Sequence, residues 1–139
     1  MATYQRQFAL EVLTPDGPVL STQAVSLVLP AVDGQIGILG GHAPLLAMIG
    51  AGRLAIEHSD GKKREFFVSG GFANIRERSV SVLPEQCVDL AQVGQDEAHT
   101  ELDRAMEMPA DSPESRSRRH DAVVVAQAKV RVSHKKTEA

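Results

Sequence analysis

The sequence predicts a mainly β fold, an antiparallel β-sandwich or barrel, followed by an α-helical hairpin. Between Phe8 and Leu90 the apolar residues stand in short, often alternating runs, the pattern of strands with one buried face. After Gly94 glycine is absent, charge density rises and the apolar spacing becomes helical. With 139 residues and 42% hydrophobic content, the chain can bury one main core with a small appendage.

The predicted strands are separated by residues that tolerate positive φ or form side-chain turns. Residues 79–82 alternate strictly between polar and apolar, which indicates one solvated face and one buried face. The turns are Pro15-Asp16-Gly17, Asp33-Gly34, Gly50-Ala51-Gly52, Ser59-Asp60-Gly61 and Gly70-Gly71. The strands are expected at 8–13, 19–20, 24–29, 35–39, 45–49, 53–58, 65–69, 72–76 and 79–83.

A composition change near Gly94 predicts two parts, residues 1–93 and 94–139. Residues 95–108 carry acids in the first turn and place Ala98, Leu102 and Ala105 on one stripe. This pattern predicts an amphipathic helix that ends before Pro109.

A second helix is predicted after Ser112, which can cap it with proline at the first helical position. Ala122, Ala126 and Val130 recur on one face of this segment. Residues 123–125 are β-branched and 126–132 alternate with period two, so a strand stays an alternative. Residues 94–113 carry one arginine against six acids and residues 114–139 carry seven bases against three acids. Antiparallel packing of the two helices would pair these charges, or each helix could present its own solvated face.

The bulk composition excludes several functions. The net charge is −3, aromatic residues make up 4% and tryptophan is absent, so no nucleic-acid partner is expected. Cys87 is the only cysteine, which excludes intramolecular disulfides and a cysteine-based zinc cluster and suits a reducing cytoplasm. The polar N-terminus lacks the apolar central region of a secretory signal, so no export is expected, and the apolar runs fall short of the ~20 residues of a transmembrane helix.

The glycine-rich residues 34–44 could cradle phosphate through backbone amides. No Gly-Lys-Ser/Thr follows, and the segment lies between strands, so tight β connections are the better interpretation. The five histidines lack metal-ligand spacing, and no nucleophile elbow is present. We therefore expect no metal, no cofactor and no catalytic residue.

Residues 33–46, Asp-Gly-Gln-Ile-Gly-Ile-Leu-Gly-Gly-His-Ala-Pro-Leu-Leu, closely resemble the signature loop of bacterial F-type ATP synthase epsilon subunits. The family pattern is Gly-x-x-Gly followed by Gly-His-Ala-Pro-Leu. Residues 67–72, Phe-Val-Ser-Gly-Gly-Phe, resemble the second marker of the family. The resemblance covers residues 7 to about 108. It implies a ten-stranded β-sandwich with a two-helix hairpin.

The resemblance also implies a function. Such a chain is a non-catalytic central-stalk subunit that clamps the gamma subunit and rests on the membrane c ring, so that ion flow drives ATP synthesis. Its place is peripheral, at the cytoplasmic face of the inner membrane. The coupling ion, proton or sodium, stays open. The residues expected at the c ring or gamma are Val32, Asp33, Gln35, His42, Ala43 and Pro44.

The hairpin carries the regulatory part of the resemblance. In many bacterial members it extends along gamma toward the beta subunits and blocks ATP hydrolysis. A basic set suited to acidic loops of the beta subunits consists of Arg116, Arg118, Arg119, Lys129 and Arg131.

Residues 100–105 fit only partly a nucleotide-sensing motif of the family, in which Ile or Leu and Asp precede two variable residues and Arg-Ala. Arg104 and Ala105 match, Glu101 stands for the aspartate, and Thr100 replaces the apolar residue. Glu101 would repel phosphate, and an intrahelical ion pair explains the spacing equally well. We expect weak or absent ATP binding.

Two other classes of function stay open. A stand-alone β-sandwich could bind a peptide or small ligand, since the fold alone does not decide function. A small β-barrel enzyme could use His42 or His58, which would require convergent polar groups in a pocket.

Overall fold

The computed structural model describes residues 6–138, with side chains to Ser133. Within this range nine strands precede two helices. The strands are β1 (Phe8–Thr14), β2 (Gly17–Ala31), β3 (Gly34–Leu39), β4 (Leu45–Met48), β5 (Gly52–His58), β6 (Lys63–Ser69), β7 (Phe72–Ile75), β8 (Ser79–Leu83) and β9 (Gln86–Asp89). A 3-10 turn (Leu90–Gln92) leads to α1 (Gln95–Met106) and α2 (Pro113–Glu138).

Strand β2 joins the two layers of a β-sandwich. Its first half pairs with β1, its second half lies between β3 and β5, and its register with β5 shifts between Ala24 and Ser26. The first layer therefore has the order β4-β7-β8-β1-β2 and the second the order β3-β2-β5-β6-β9. Counting β2 once in each layer gives ten strands, the number that the resemblance implied. All pairings are antiparallel except that of β1 with β8.

Alternating side chains from both layers meet in one core. In β1, for example, Phe8, Leu10 and Val12 are buried while the residues between them are exposed. Strands β1 to β8 all contribute to this cluster, and Cys87 of β9 packs at its margin. The sandwich therefore needs no help from the helices to bury its interior, as expected for an aligned two-layer packing.

The helices pack on the outer face of the second layer. Helix α1 packs mainly on α2, and α2 contacts β5, β6 and the 3-10 turn. A second apolar cluster forms there, made of Phe67, Leu90, Val93, Ala128 and Val132.

The start of α2 follows from its capping residues. The Ser115 amide donates to Ser112 Oγ at 3.0 Å, and the Ser112 amide donates to Ser115 Oγ at 2.9 Å. This reciprocal pair resembles a capping box with serine at the third position. Both predicted helices are confirmed, although α1 ends at Met106 rather than 108.

Two details of the strands differ from expectation. The strands expected at 19–20 and 24–29 are parts of the single long β2, and β9 was missed. The two glycines at positions 37 and 41 of the signature loop differ in conformation. Gly41 has a φ of 84°, but Gly37 has no positive φ, and an added Cβ there would meet nothing within 4 Å.

Candidate functional sites

The loop after β3 is held by the backbone of its neighbours. The Gly41 amide donates to the Glu77 carbonyl at 3.2 Å, and the His42 amide donates to the Leu39 carbonyl at 3.1 Å. His42 Nδ1 lies 2.7 Å from the Ala43 carbonyl. At Gly40 an added Cβ would collide with the backbone of Arg6. The glycines here therefore serve close packing, in agreement with the interpretation as a tight β connection.

The six predicted interface residues do not form one surface. Val32, Asp33 and Gln35 are exposed around the β2–β3 turn, whereas half-buried His42 and exposed Ala43 and Pro44 follow the far end of β3. At about 3.3 Å per residue, β3 separates the two groups by roughly 17 Å. His42, Ala43 and Pro44 therefore lie away from the turn, because β3 runs away from it.

Exposed apolar side chains occur between these two groups, on β4 and β7. Met48 pairs with Phe72, and Leu46 lies two residues from Met48 on the same face of β4. Leu46 is 65% exposed, Met48 58% and Phe72 42%, while Ala47 between them is buried. We call Leu46, Met48 and Phe72 the β4–β7 patch. It lies on the first layer, away from the second-layer face that the helices contact.

The β4–β7 patch was not predicted from the sequence. Residues 45–49 form an unbroken apolar run, in which nothing distinguishes an outward-facing side chain from a buried one. Only the period-two geometry of a strand with a fixed inner face makes Leu46 and Met48 point outward.

Three residues of the partial nucleotide motif, Glu101, Arg104 and Ala105, line one cavity of about 450 Å³ between the helices and β9. Glu101 and Asp121 oppose Arg104 and Lys129 in its wall, so positive charge is not in excess there. Glu101 Oε1 also lies 3.1 Å from Lys129 Nζ. The other lining residues are Gln86, Met108, Ala122 and Val125. This charge balance gives a triphosphate little electrostatic attraction.

The basic set of α2 is divided between two roles. Arg116, Arg118 and Arg131 are exposed. Arg119 instead donates to the Met106 carbonyl at 3.2 Å, which closes the end of α1 against α2. Lys129 makes the ion pair with Glu101 already described. The predicted set is therefore only partly free to meet another subunit in this conformation.

Groups suited to catalysis are scarce in the described residues. No three potential metal ligands cluster in residues 6–133. His58 Nδ1 lies 3.0 Å from Thr22 Oγ1, and its Nε2 is buried without a partner. Burial raises the pKa of the Cys87 thiol to about 11, which works against nucleophilic chemistry at neutral pH. Neither helix, over the part of the chain that the structure describes, is long and apolar enough to cross a membrane.

Comparison with known proteins decides the family. Residues 7–89 match the model of the β-sandwich domain of ATP synthase delta/epsilon chains. The ATP synthase epsilon chain of Rhodopirellula baltica is 34% identical over 122 residues, which is 88% of this chain and 94% of the relative. The epsilon chain of Nitratidesulfovibrio vulgaris is 34% identical over 130 residues, 92% of this chain and 96% of the relative. This chain belongs to the ATP synthase epsilon family.

The family resemblance seen in the sequence is thereby confirmed, and this epsilon chain is a non-catalytic stalk subunit. A sodium-specific epsilon chain from Propionigenium modestum is also similar, with 31% identity over 100 residues, 72% of each chain. Similarity of the epsilon chain therefore does not identify the coupling ion.

Solved structures show the same fold. A chain of the Euglena gracilis mitochondrial ATP synthase, determined with OSCP, F1 and c-ring, superposes with a TM-score of 0.79 at 21% identity. That match covers 91% of this chain and 81% of the other. A chain from the central stalk and c-ring of the Tetrahymena thermophila enzyme gives a TM-score of 0.70 at 15% identity, covering 97% and 99%.

Proposed function

We propose that this epsilon chain docks on the gamma subunit and the c ring of an ATP synthase, transmits rotation between them, and restrains ATP hydrolysis through its helices. Residues 1–93 form the docking unit and residues 94–139 the regulatory unit. The complex holds the chain peripherally at the cytoplasmic face of the inner membrane. The observation that carries the proposal is the exposed apolar β4–β7 patch on a sandwich whose core is already complete.

The gamma-facing surface is the β4–β7 patch. Monomeric proteins seldom leave neighbouring large apolar side chains exposed, and methionine and phenylalanine are enriched at interfaces. The helices pack on the other layer, so gamma can bind here without displacing them. This division agrees with a rotor contact that persists while the hairpin changes position.

The c ring contact lies at the β2–β3 turn, with Val32, Asp33 and Gln35. Val32 is 69% exposed, although its amide is fixed by donation to the Met48 carbonyl at 3.1 Å. A turn with a restrained backbone and an exposed apolar tip suits a contact that must transmit torque. His42, Ala43 and Pro44, at the opposite end of β3, then belong to the gamma side.

The hairpin restrains hydrolysis when it leaves the sandwich and extends toward the beta subunits. Arg116, Arg118 and Arg131 are exposed before any movement, and release would free Arg119 and Lys129 as well. These five cations suit acidic loops on a partner.

Co-purification with gamma tests the docking unit. The full chain and a chain truncated after Val93 should each bind gamma with 1:1 stoichiometry, because the sandwich core contains no residue of the helices. A truncated chain that folds but does not bind gamma would contradict the assignment of docking to residues 1–93.

A further inference from the structure

Lys129 lies where three parts of the molecule meet. It is carried by α2, its Nζ lies 3.1 Å from Glu101 Oε1 of α1, and it stands 5.5 Å from the centre of the Phe67 ring of β6. Only 13% of the Lys129 side chain is exposed, and Phe67 is fully buried. One cation therefore contacts both helices and the sandwich from a site largely removed from water.

The remaining described contacts between the hairpin and the sandwich are apolar. Among the described side chains, α2 contributes Ala128 and Val132 to the second apolar cluster, with half-buried Val125 packed against it. Lys129 and Glu101 also line two cavities, of about 450 and 150 Å³, beneath α1. Helix α1 thus gains little close packing from the sandwich itself and is held mainly through α2. Lys129 is the residue of α2 that contacts α1 through an ion pair and the sandwich through a cation–π contact.

We propose that Lys129 is the latch of the compact hairpin, and that its ammonium group sets the fraction of molecules in which the helices are released. This rests on the proposed regulatory role of the hairpin and names the residue that controls it. A released hairpin loses the ion pair to Glu101 and the cation–π contact to Phe67 together. A partly buried cation–π contact and ion pair of this kind together correspond to about a tenfold change in an equilibrium.

Native-state hydrogen exchange on the full chain tests the latch. Lys129→Met keeps the apolar stem of the side chain and removes its charge. We expect the opening equilibrium of α1 amides to rise about tenfold, because a released helix of this length is marginal in water. Amides of β1, which lies in the sandwich core, serve as the internal reference and should keep their protection.

Arg131→Gln is the matched control, because it removes the same charge from an exposed position of α2 two residues away. It should change the opening of α1 less than twofold. Lys129→Arg, which retains a cation, should restore most of the protection. Equal opening in Lys129→Met and Arg131→Gln would overturn the latch, and so would loss of protection in β1 to the same extent as in α1.

A double-mutant cycle shows whether Glu101 is the partner. Glu101→Gln alone should raise the opening equilibrium of α1. The double variant Glu101→Gln, Lys129→Met should raise it by much less than the product of the two single-variant effects. Independent, multiplicative effects would refute the coupling.

ATP hydrolysis by the reassembled synthase separates the latch from the inhibitory role. If Lys129→Met opens α1 while hydrolysis stays unchanged, the latch is supported and the inhibitory function of the hairpin fails. If the variant leaves α1 closed, the latch is wrong whatever the rate of hydrolysis.

Discussion

Two glycines of the signature loop should respond in opposite directions to the same substitution. Gly41 has a φ of 84°, a conformation in which a β-branched residue is strained by about 1 to 3 kcal/mol. The added Cβ would also lie 2.7 Å from Arg6 Nη1, but that is the mobile end of a long side chain and can shift at little cost. We therefore expect Gly41→Val to lower the free energy of unfolding by about 1 to 3 kcal/mol.

Gly37 lies within β3 opposite Val28, has no positive φ, and has open space where a Cβ would be. Because glycine in a strand costs roughly 0.5 to 1 kcal/mol in backbone freedom, Gly37→Val should leave the fold as stable or slightly more so. Urea unfolding followed by circular dichroism measures both changes. A Gly41→Val protein as stable as the parent, or a Gly37→Val protein destabilised by more than about 1 kcal/mol, would refute this reasoning.

Three further predictions concern the hairpin, the cavity and the thiol. Removing residues 94–139 should raise ATP hydrolysis and leave synthesis largely coupled, measured on reassembled synthase; unchanged hydrolysis would count against inhibition. Calorimetric titration with MgATP should show weak or no binding; saturable micromolar binding abolished by Arg104→Ala would make the cavity a nucleotide site. The Cys87 pKa of about 11, against an ordinary 9.0, makes thiolate about a hundredfold rarer at pH 8. Alkylation of Cys87 in the folded chain should therefore be slower than in urea by at least this factor of about a hundred. The folded state favours the protonated thiol of Cys87. The stability that this preference contributes is therefore present below pH 9 and is lost as the pH rises toward 11.

The strands with one buried face were predictable from the alternation of polar and apolar residues, whereas β9 was not. Its four residues, Gln-Cys-Val-Asp, are all half-buried and show no clear period. The strand forms because β6 offers a free edge, with Val68 opposite Cys87. A partner distant in sequence thus supplies the strand-forming contact, which local pattern does not contain.

Helix α2 was ambiguous in sequence for a related reason. Its residues 126–132 alternate because the helix has two different neighbours. Ala126 is buried outside the cluster on the sandwich, whereas Ala128 and Val132 are buried within it. Two buried faces on one helix blur the 3.6-residue period, so the strand alternative could be excluded only with the neighbours in place.

The interface residues were chosen from one continuous sequence motif, and the structure divides them between two ends of β3. The motif contains the β2–β3 turn, strand β3 and the residues that follow it. Its residues are therefore continuous along the chain but not on the surface. The β4–β7 patch, which joins the two ends, has no marker residue of its own in the sequence.

The affinity of the chain for gamma is the most direct test of docking through the β4–β7 patch. The double variant Met48→Ser, Phe72→Ser should bind gamma at least about thirtyfold more weakly than the parent, as expected for two apolar anchors of an interface. Val124→Ser, at a side chain 40% exposed on α2, is the control and should bind as the parent does. We predict that calorimetric titration with purified gamma shows this loss only in the double variant. Unchanged affinity of a folded double variant would contradict docking through the β4–β7 patch.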